Sequence, residues 1–357
     1  MFKMCLYPKL IYNKKYTANK KNGGVIPPVP DERTRYVPVG CGKCIECMKR
    51  KKREWQVRLL EEIKHDNTGK FVTLTFTEES LIQLENETGN NPNNYLRYNA
   101  VATLAVRRFL ERWRKKYKKS VKHWLITELG QNETERIHLH GIIFTEENND
   151  TIEEIWKYGQ IWVGNYVNEK TINYIIKYVS KVDLTHKEYK PKILTSSGIG
   201  KQYVGSHNYN MSRYRDEDTR EYYTTKTGHK IALPIYYRNK LYTEEEREKL
   251  WLQKLDKAER WIMGEKIDVS ISDEEYEKAL EYYREKNRRL GYGDDSVNWD
   301  EKMYKNNKKR IELRTKHLKE LKKQNKNLED KEKKQIFADT NKEMPNIDFN
   351  KFNNFEV

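Results

Sequence analysis

The chain has 357 residues, with 70 Lys and Arg against 54 Asp and Glu, a formal net charge of +16 with His neutral, and a pI near 9.3. Hydrophobic residues make up 36% and mean hydropathy is −1.04; no apolar run approaches the ~18–20 residues of a membrane helix, and MFKMCLYPKL has neither the apolar stretch nor the cleavage site of a secretory signal. The length suits one large or two modest domains, and the charge excess points to a polyanionic partner, nucleic acid first.

The chain opens on Cys5, followed by Cys41-Gly-Lys-Cys44-Ile-Glu-Cys47. Four cysteines are too few for a disulfide scaffold, and without an export signal a reducing compartment is expected. Cys5, Cys41, Cys44 and Cys47 can supply four thiolates to a tetrahedral structural Zn²⁺. The C-x₂-C-x₂-C spacing also suits an iron–sulfur cluster, and reduced thiols without a metal are the plain alternative. Directly after it, Lys49-Arg50-Lys51-Lys52-Arg53 can approach a phosphate backbone, and residues 47–64 carry helical apolar spacing.

FVTLTFT (71–77) alternates with period two and reads as a strand. Residues 100–118 read as a helix, and from Arg107 to Lys122 nine basic residues face one acid. Arg114, Lys115 and Lys118 are candidate DNA contacts there. Trp113 and Tyr117 interleave with this run and suit stacking on unpaired bases, but their i, i+4 spacing equally marks a core face, the role assigned to Trp113. WLITEL (124–129) and IHLHGIIF (137–144) are two further strands, with GQNETER closing a hairpin between them. Residues 169–182 read as a helix. TEEEREKLWLQKLDKAERWI is a helix with Thr243 as its N-cap. Beyond Glu301 the chain is rich in Lys, Asn and Glu, with thirteen basic residues against five acids between 305 and 334, a solvated helix or disorder. Interleaved strands and helices favour an α+β core over a bundle. The expected organisation is a cysteine-rich element and first helix (1–65), a core (66–240), a helical extension (241–300) and a charged tail (301–357).

His138 and His140 stand at i and i+2 of a strand, so both imidazoles leave one face. Glu128 falls across the hairpin from His138, and a His₂–carboxylate set is compatible with Mg²⁺ or Mn²⁺ when substrate phosphate supplies further oxygens. Taken alone, two ordinary histidines on a half-buried strand would give the same pattern. Some thirty residues later, Ile172, Ile175, Ile176 and Val179 form a buried helical stripe, and Tyr174, Lys177, Tyr178 and Lys181 fall on roughly the opposite side. A phenol flanked by ammonium groups is drawn toward its phenolate, a nucleophile suited to a phosphodiester. Tyrosines packing a surface helix on its neighbour are the plain alternative. Gly198-Ile-Gly-Lys201 lacks the spacing of a nucleotide-binding P-loop, and His123 and His186 have no motif around them.

A strand FVTLTFT, a strand with His138-Leu-His140 and a helix with Tyr174-x-x-Lys177-Tyr178, in that order, resemble the HUH endonucleases. CGKCIEC, REWQVRL, TELG, HLHGIIF, YIIKYVSK and SSGIGKQY are similar to segments of the replication initiation proteins of microvirus and gokushovirus-like single-stranded DNA bacteriophages. The resemblance spans roughly residues 1–240. It implies a central antiparallel sheet flanked by helices, and His138, His140 and Glu128 holding Mg²⁺ or Mn²⁺. It also implies a rolling-circle initiator that nicks and rejoins single-stranded and replicative-form origin DNA through a 5′-phosphotyrosine on Tyr174 or Tyr178. Lys177 and Lys181 would orient or neutralise phosphate. A host helicase and polymerase, and a bacterial cytoplasm, complete the expectation. Within the same chemistry, a plasmid initiator, relaxase or single-strand transposase is the alternative; outside it, a basic, zinc-stabilised DNA-binding protein without catalysis. The Arg-Pro that often precedes the first histidine in such proteins is replaced here by Arg136-Ile137.

Overall fold

The three strands expected from period-two alternation pair as the centre of a five-stranded antiparallel sheet. In the computed structural model, residues 5–89, 94–130, 136–164, 166–184, 186 and 189–294 are described, with Lys309, Glu312, Leu313 and Lys316. The expectations for loop residues 131–135 and for the tail beyond 301, those four residues apart, lie outside the described residues. Residues 38–299, with the N-terminus through Lys9, form one unit; Leu10–Val37 belong to a second that also takes in Asp300–Val357.

Within the second unit lie most of β1 (Lys9–Tyr12) and the start of β2 (Tyr36–Val39), which pair as a two-stranded ribbon. Arg35 grips Glu32 through two bonds of 2.7 Å.

The larger unit begins its helices with α1 (Ile45–His65) and continues with β3 (Gly69–Leu74), α2 (Glu78–Thr88), α3 (Asn94–Tyr117), β4 (Lys122–Leu129) and β5 (Ile137–Phe144). Next come α4 (Asn149–Trp156), β6 (Ile161–Val163), α5 (Glu169–Ile175), a 3₁₀ turn (Ile176–Ser180) and β7 (Ile193–Thr195). The sheet order is β6-β3-β5-β4-β7, and every pairing is antiparallel. On one face Leu74, Leu125, Leu139 and Ile143 pack with Phe109, Trp113 and Trp156 from α3 and α4. On the other, Trp124, Ile126, Ile142 and Phe144 pack with Leu59 and Leu60 of α1 and Ile172 and Ile175 of α5. Gly141 sits where β4 and β5 press together, because a Cβ there would lie 2.0 Å from the Trp124 carbonyl oxygen.

Downstream follow α6 (His207–Met211), a hairpin of β8 (Tyr222–Thr224) and β9 (Lys230–Ala232), α7 (Ile235–Leu241) and α8 (Glu244–Asp256). Thr243 caps α8 in a reciprocal capping box with Glu246, as its sequence predicts. The helix expected to run through Ile262 ends at Asp256, however. Glu259–Ile262 is strand β10, paired with β11 (Glu265–Asp268). Met263 and Gly264 both take positive φ in the two-residue connection, the geometry that favours a tight hairpin over helix continuation. The last described helix is α9 (Glu274–Arg289). Its Tyr276, Leu280 and Tyr283, with Ile262, share a core with Cys5, Leu6, Tyr7, Cys44, Ile45 and Cys47. Asn287 accepts the Ile45 N–H at 2.8 Å and Arg284 donates to the Leu6 carbonyl at 3.0 Å, so the extension completes the core of the cysteine element.

Candidate active site

Along the α1/α5 face of the sheet the side chains change character from one end to the other. Trp124, Ile126, Ile142 and Phe144 are apolar and covered; Glu128, His138, His140 and Thr73 follow in the same alternation, with Glu128 opposite His138 and Thr73 opposite His140. Strand period alone thus carries three candidate ligands to one patch.

Glu128 Oε2 lies 3.2 Å from His138 Nε2 and 2.9 Å from His140 Nε2, and the three donor atoms fall within 4.8 Å of one another. His138 Nδ1 is 3.2 Å from the Arg136 carbonyl oxygen. A carbonyl only accepts, so Nδ1 carries the proton there and the Nε2 lone pair faces the carboxylate. Two acceptors pointed at each other need a cation between them, a proton or a metal. Burial pushes the Glu128 pKa up, but hydrogen bonds from His138, His140 and Lys181 outweigh it and hold the carboxyl well below the usual range. The donor set therefore fits a small divalent cation. On the far side of the His140 ring, Nδ1 meets Thr73 Oγ1 at 3.0 Å. Such outer partners fix ligand orientation, so Thr73→Val should weaken Mn²⁺ binding roughly tenfold, measured by titration calorimetry, with the melting temperature nearly unchanged.

The tyrosines do not share one exposed helical face. Helix α5 stops at Ile175 and tightens into the 3₁₀ turn, where three residues per turn rotate later side chains relative to an α-helix. Tyr178 is consequently 5% exposed, stacked on His140 with ring centroids 4.5 Å apart and planes 9° apart. Tyr174, by contrast, is 46% exposed. Their hydroxyls still meet, Tyr178 donating to Tyr174 at 3.0 Å. That bond is the chief cause lowering the Tyr174 pKa, with Lys177 adding to it, whereas burial and then the bond to Tyr174 push Tyr178 up. Lys177 Nζ lies 3.7 Å from the Tyr174 ring centroid and 4.9 Å from that of Tyr178. Lys181, just past the turn in extended conformation, donates to Glu128 Oε1.

Cys5, Cys41, Cys44 and Cys47 form a second potential ligand set, with Sγ atoms within 4.8 Å of one another. Backbone N–H groups of Tyr7 and Cys41 point at Cys5 Sγ (3.3 and 3.1 Å), and those of Lys43 and Cys44 at Cys41 Sγ (3.4 and 3.3 Å). Hydrogen bonds from Cys44, Cys47 and Cys5 hold the Cys41 thiol far below its ordinary value, while hydrogen bonding to Cys41 and the other two cysteines pushes Cys5 far above it. Full ionisation of all four needs a bound cation, and the set fits one tetrahedral metal.

Of the candidate DNA contacts, Arg114 and Lys115 are exposed at the end of α3 and Lys118 follows with φ 57°, while Lys49, Arg50 and Arg53 lie half-buried on α1. Trp113 is core, and Tyr117 donates to Glu147 at 3.0 Å. His123 is buried against Val121 and Ser196, and His186 against Asp183. Gly200 takes φ +74° where a Cβ would lie 2.6 Å from the Arg58 carbonyl oxygen, so the Gly-Ile-Gly-Lys segment packs on α1. Sequence reasoning did not assign roles to Thr73, or to Phe71, whose ring meets Tyr174 edge-on at 5.9 Å. Both lie in the strand it found, at alternate positions, but only the β3–β5 pairing shows which face they join.

Residues 69–183 match a family model of replication-associated proteins, the ORF2 family. The match covers about a third of the chain and runs from β3 to just past the tyrosine turn, so it encloses Glu128, both histidines and both tyrosines. No curated protein and no solved structure matches the chain. Among the described residues no helix is long and apolar enough to cross a membrane.

Proposed function

We propose that the chain is a rolling-circle replication initiator of the HUH endonuclease type, serving a small single-stranded DNA bacteriophage, and that Tyr174 makes the first cut. The observation that carries this is one of placement. Tyr178 stacks on a histidine of the ligand set while its hydroxyl bonds that of Tyr174, which sets the exposed phenol beside the three convergent ligands.

In this reading Glu128, His138 and His140 hold Mg²⁺ or Mn²⁺, which when bound polarises the scissile phosphodiester. The Tyr174 oxygen, its negative charge favoured by the Tyr178 hydrogen bond and the Lys177 ammonium, attacks phosphorus. The P–O3′ bond breaks, leaving a 5′-phosphotyrosine and a 3′-hydroxyl from which a host polymerase can extend. Tyr178, neutral and covered, is the reserve nucleophile for cutting the regenerated origin. The 3′-hydroxyl so released then attacks the first phosphotyrosine and closes a circle. Lys181 keeps the Glu128 carboxylate ionised and oriented. A host helicase supplies unwinding.

The test is covalent: incubation with Mn²⁺ and single strands tiled across candidate origins should yield a protein–DNA adduct that survives boiling in detergent. No adduct with any tile would sink the assignment. At the cysteine set we propose a structural Zn²⁺. The purified chain should carry one zinc by elemental analysis, and Cys44→Ser should lose it together with protease resistance of the α9–cysteine core, since structural zinc contributes on the order of 10 kcal/mol.

A further inference from the structure

The sheet ends at β7, which pairs with β4 on one side only. Around that free edge lies a groove of about 580 Å³, lined by Lys51 and Trp55 of α1, Asn99 of α3, and Lys190, Lys192 and Thr195 of the edge segment. No acidic residue lines it. Among the described residues no ion pair is made by Lys51 or Lys192. Crowding by surrounding protein lowers the Lys51 pKa, although the residue still reaches solvent, so an anion at its ammonium would be favoured. The Trp55 indole forms part of the wall, braced edge-on by Trp124 at 5.8 Å and by the Arg58 guanidinium 4.2 Å from its centroid.

The groove leads toward the catalytic patch. Pro191 borders both it and the small pocket lined by Glu128, Tyr178 and Lys181. Its wall is fixed to the strand carrying Glu128: Asn99 donates to the Lys190 carbonyl at 2.9 Å and accepts from the Thr127 hydroxyl at 2.7 Å, and that hydroxyl takes the Lys192 N–H at 2.9 Å. Thr127 precedes Glu128, so one strand spacing and one residue rise place the groove's near end roughly 10 Å from the ligand set. Lysines without acids beside a braced indole suit a phosphate backbone with unpaired bases; a duplex would keep its base faces hidden from Trp55.

We propose that the β7-edge groove is a binding site for single-stranded DNA, holding the cleaved strand a few nucleotides from the scissile phosphate with Lys51 and Lys192 on phosphates and a base stacked on Trp55. This rests on the assignment of the nicking centre above.

Binding of a fluorescein-labelled mixed-sequence 20-mer to the full chain, followed by anisotropy in EDTA at several NaCl concentrations, reads the groove without the chemistry. Lys51→Gln with Lys192→Gln should weaken binding roughly tenfold at 0.1 M salt and flatten the log K against log [NaCl] slope by about 1.4, near 0.7 per phosphate contact. The paired surface lysines Lys266 and Lys278, both changed to Gln, should shift it less than twofold. A 5-iododeoxyuridine strand should photocrosslink to the tryptic peptide holding Trp55. Wild-type affinity and slope in the groove variant, an equal loss in the control, equal competition by duplex, or no crosslink at Trp55 would overturn the proposal. A groove variant that binds weakly while the wild type forms no Mn²⁺-dependent adduct would retain the groove and remove the nicking centre. An adduct in the wild type with undiminished binding in the variant would do the reverse.

Discussion

Tyr174→Phe is expected to abolish the covalent adduct, a fall of about 10³-fold or more because a lost nucleophile has no substitute of equal placement. Tyr178→Phe should leave the first cleavage within roughly fivefold to tenfold of wild type, the cost of one hydrogen bond to the attacking oxygen. The asymmetry follows from geometry: Tyr174 is half-exposed and Tyr178 is covered by its stack on His140. Single-turnover cleavage of a labelled origin strand, with peptide mapping of the linked tyrosine, checks both values. Equal losses in the two variants, or linkage mapped to Tyr178 in the first turnover, would reverse the order of the nucleophiles. Tyr178→Phe should instead stall the second cut, so that nicked strand accumulates without circles. The pH profile carries the same information. The Tyr174 pKa lies below the ordinary phenol value through the Tyr178 bond and Lys177, so the rate should rise with pH through that lowered pKa. Lys177→Met removes one of the causes and should move the rising limb to higher pH, leaving the plateau rate closer to wild type than the rate at neutral pH.

The sequence carried the ligands further than the nucleophiles. His138, His140 and Glu128 are legible because strand alternation and hairpin pairing are local rules, and the register places Glu128 opposite His138 as the hairpin requires. Tyr174 and Tyr178 are legible as residues but not as geometry. The α-helical period sets them side by side on an exposed face, whereas the chain tightens at Ile176 and turns Tyr178 inward. Nothing in Ile175-Ile176-Lys177 announces that change; it comes from packing Ile172, Ile175, Ile176 and Val179 against α1 and the sheet. The union of the cysteine element with residues 259–289 escaped for a related reason. Cys44 and Ile45 meet Tyr276, Leu280 and Asn287 across more than two hundred residues, and no periodicity reports a contact so distant in the chain. Thr73 and the β7-edge groove are likewise products of long-range strand pairing, visible once β3 lies beside β5 and β7 beside β4.

The second large effect is expected at the ligand set. Replacing both His138 and His140 by Ala should lower metal-dependent cleavage about 10³-fold or more, the loss of several kcal/mol of charge stabilisation at the phosphodiester. Affinity for single-stranded DNA in EDTA should stay within twofold, because neither imidazole lies among the basic residues that line the groove. The single variants should differ. His140 is buried, held by Thr73 and stacked between Tyr178 and, more distantly, Phe71. Removing it therefore takes away a ligand, opens space beneath Tyr178 and frees the phenol that positions Tyr174. His138 is half-buried, and its ring is held by Glu128 and the Arg136 carbonyl. His138→Ala should thus be partly rescued by raising Mn²⁺, since only affinity is lost, whereas His140→Ala should stay slow at saturating metal because nucleophile placement is lost too. Calorimetric Mn²⁺ titration alongside single-turnover rates separates the two terms. Equal rescue of both variants would mean that the His140–Tyr178 stack contributes packing alone and leaves the placement of Tyr174 to Lys177 and Phe71.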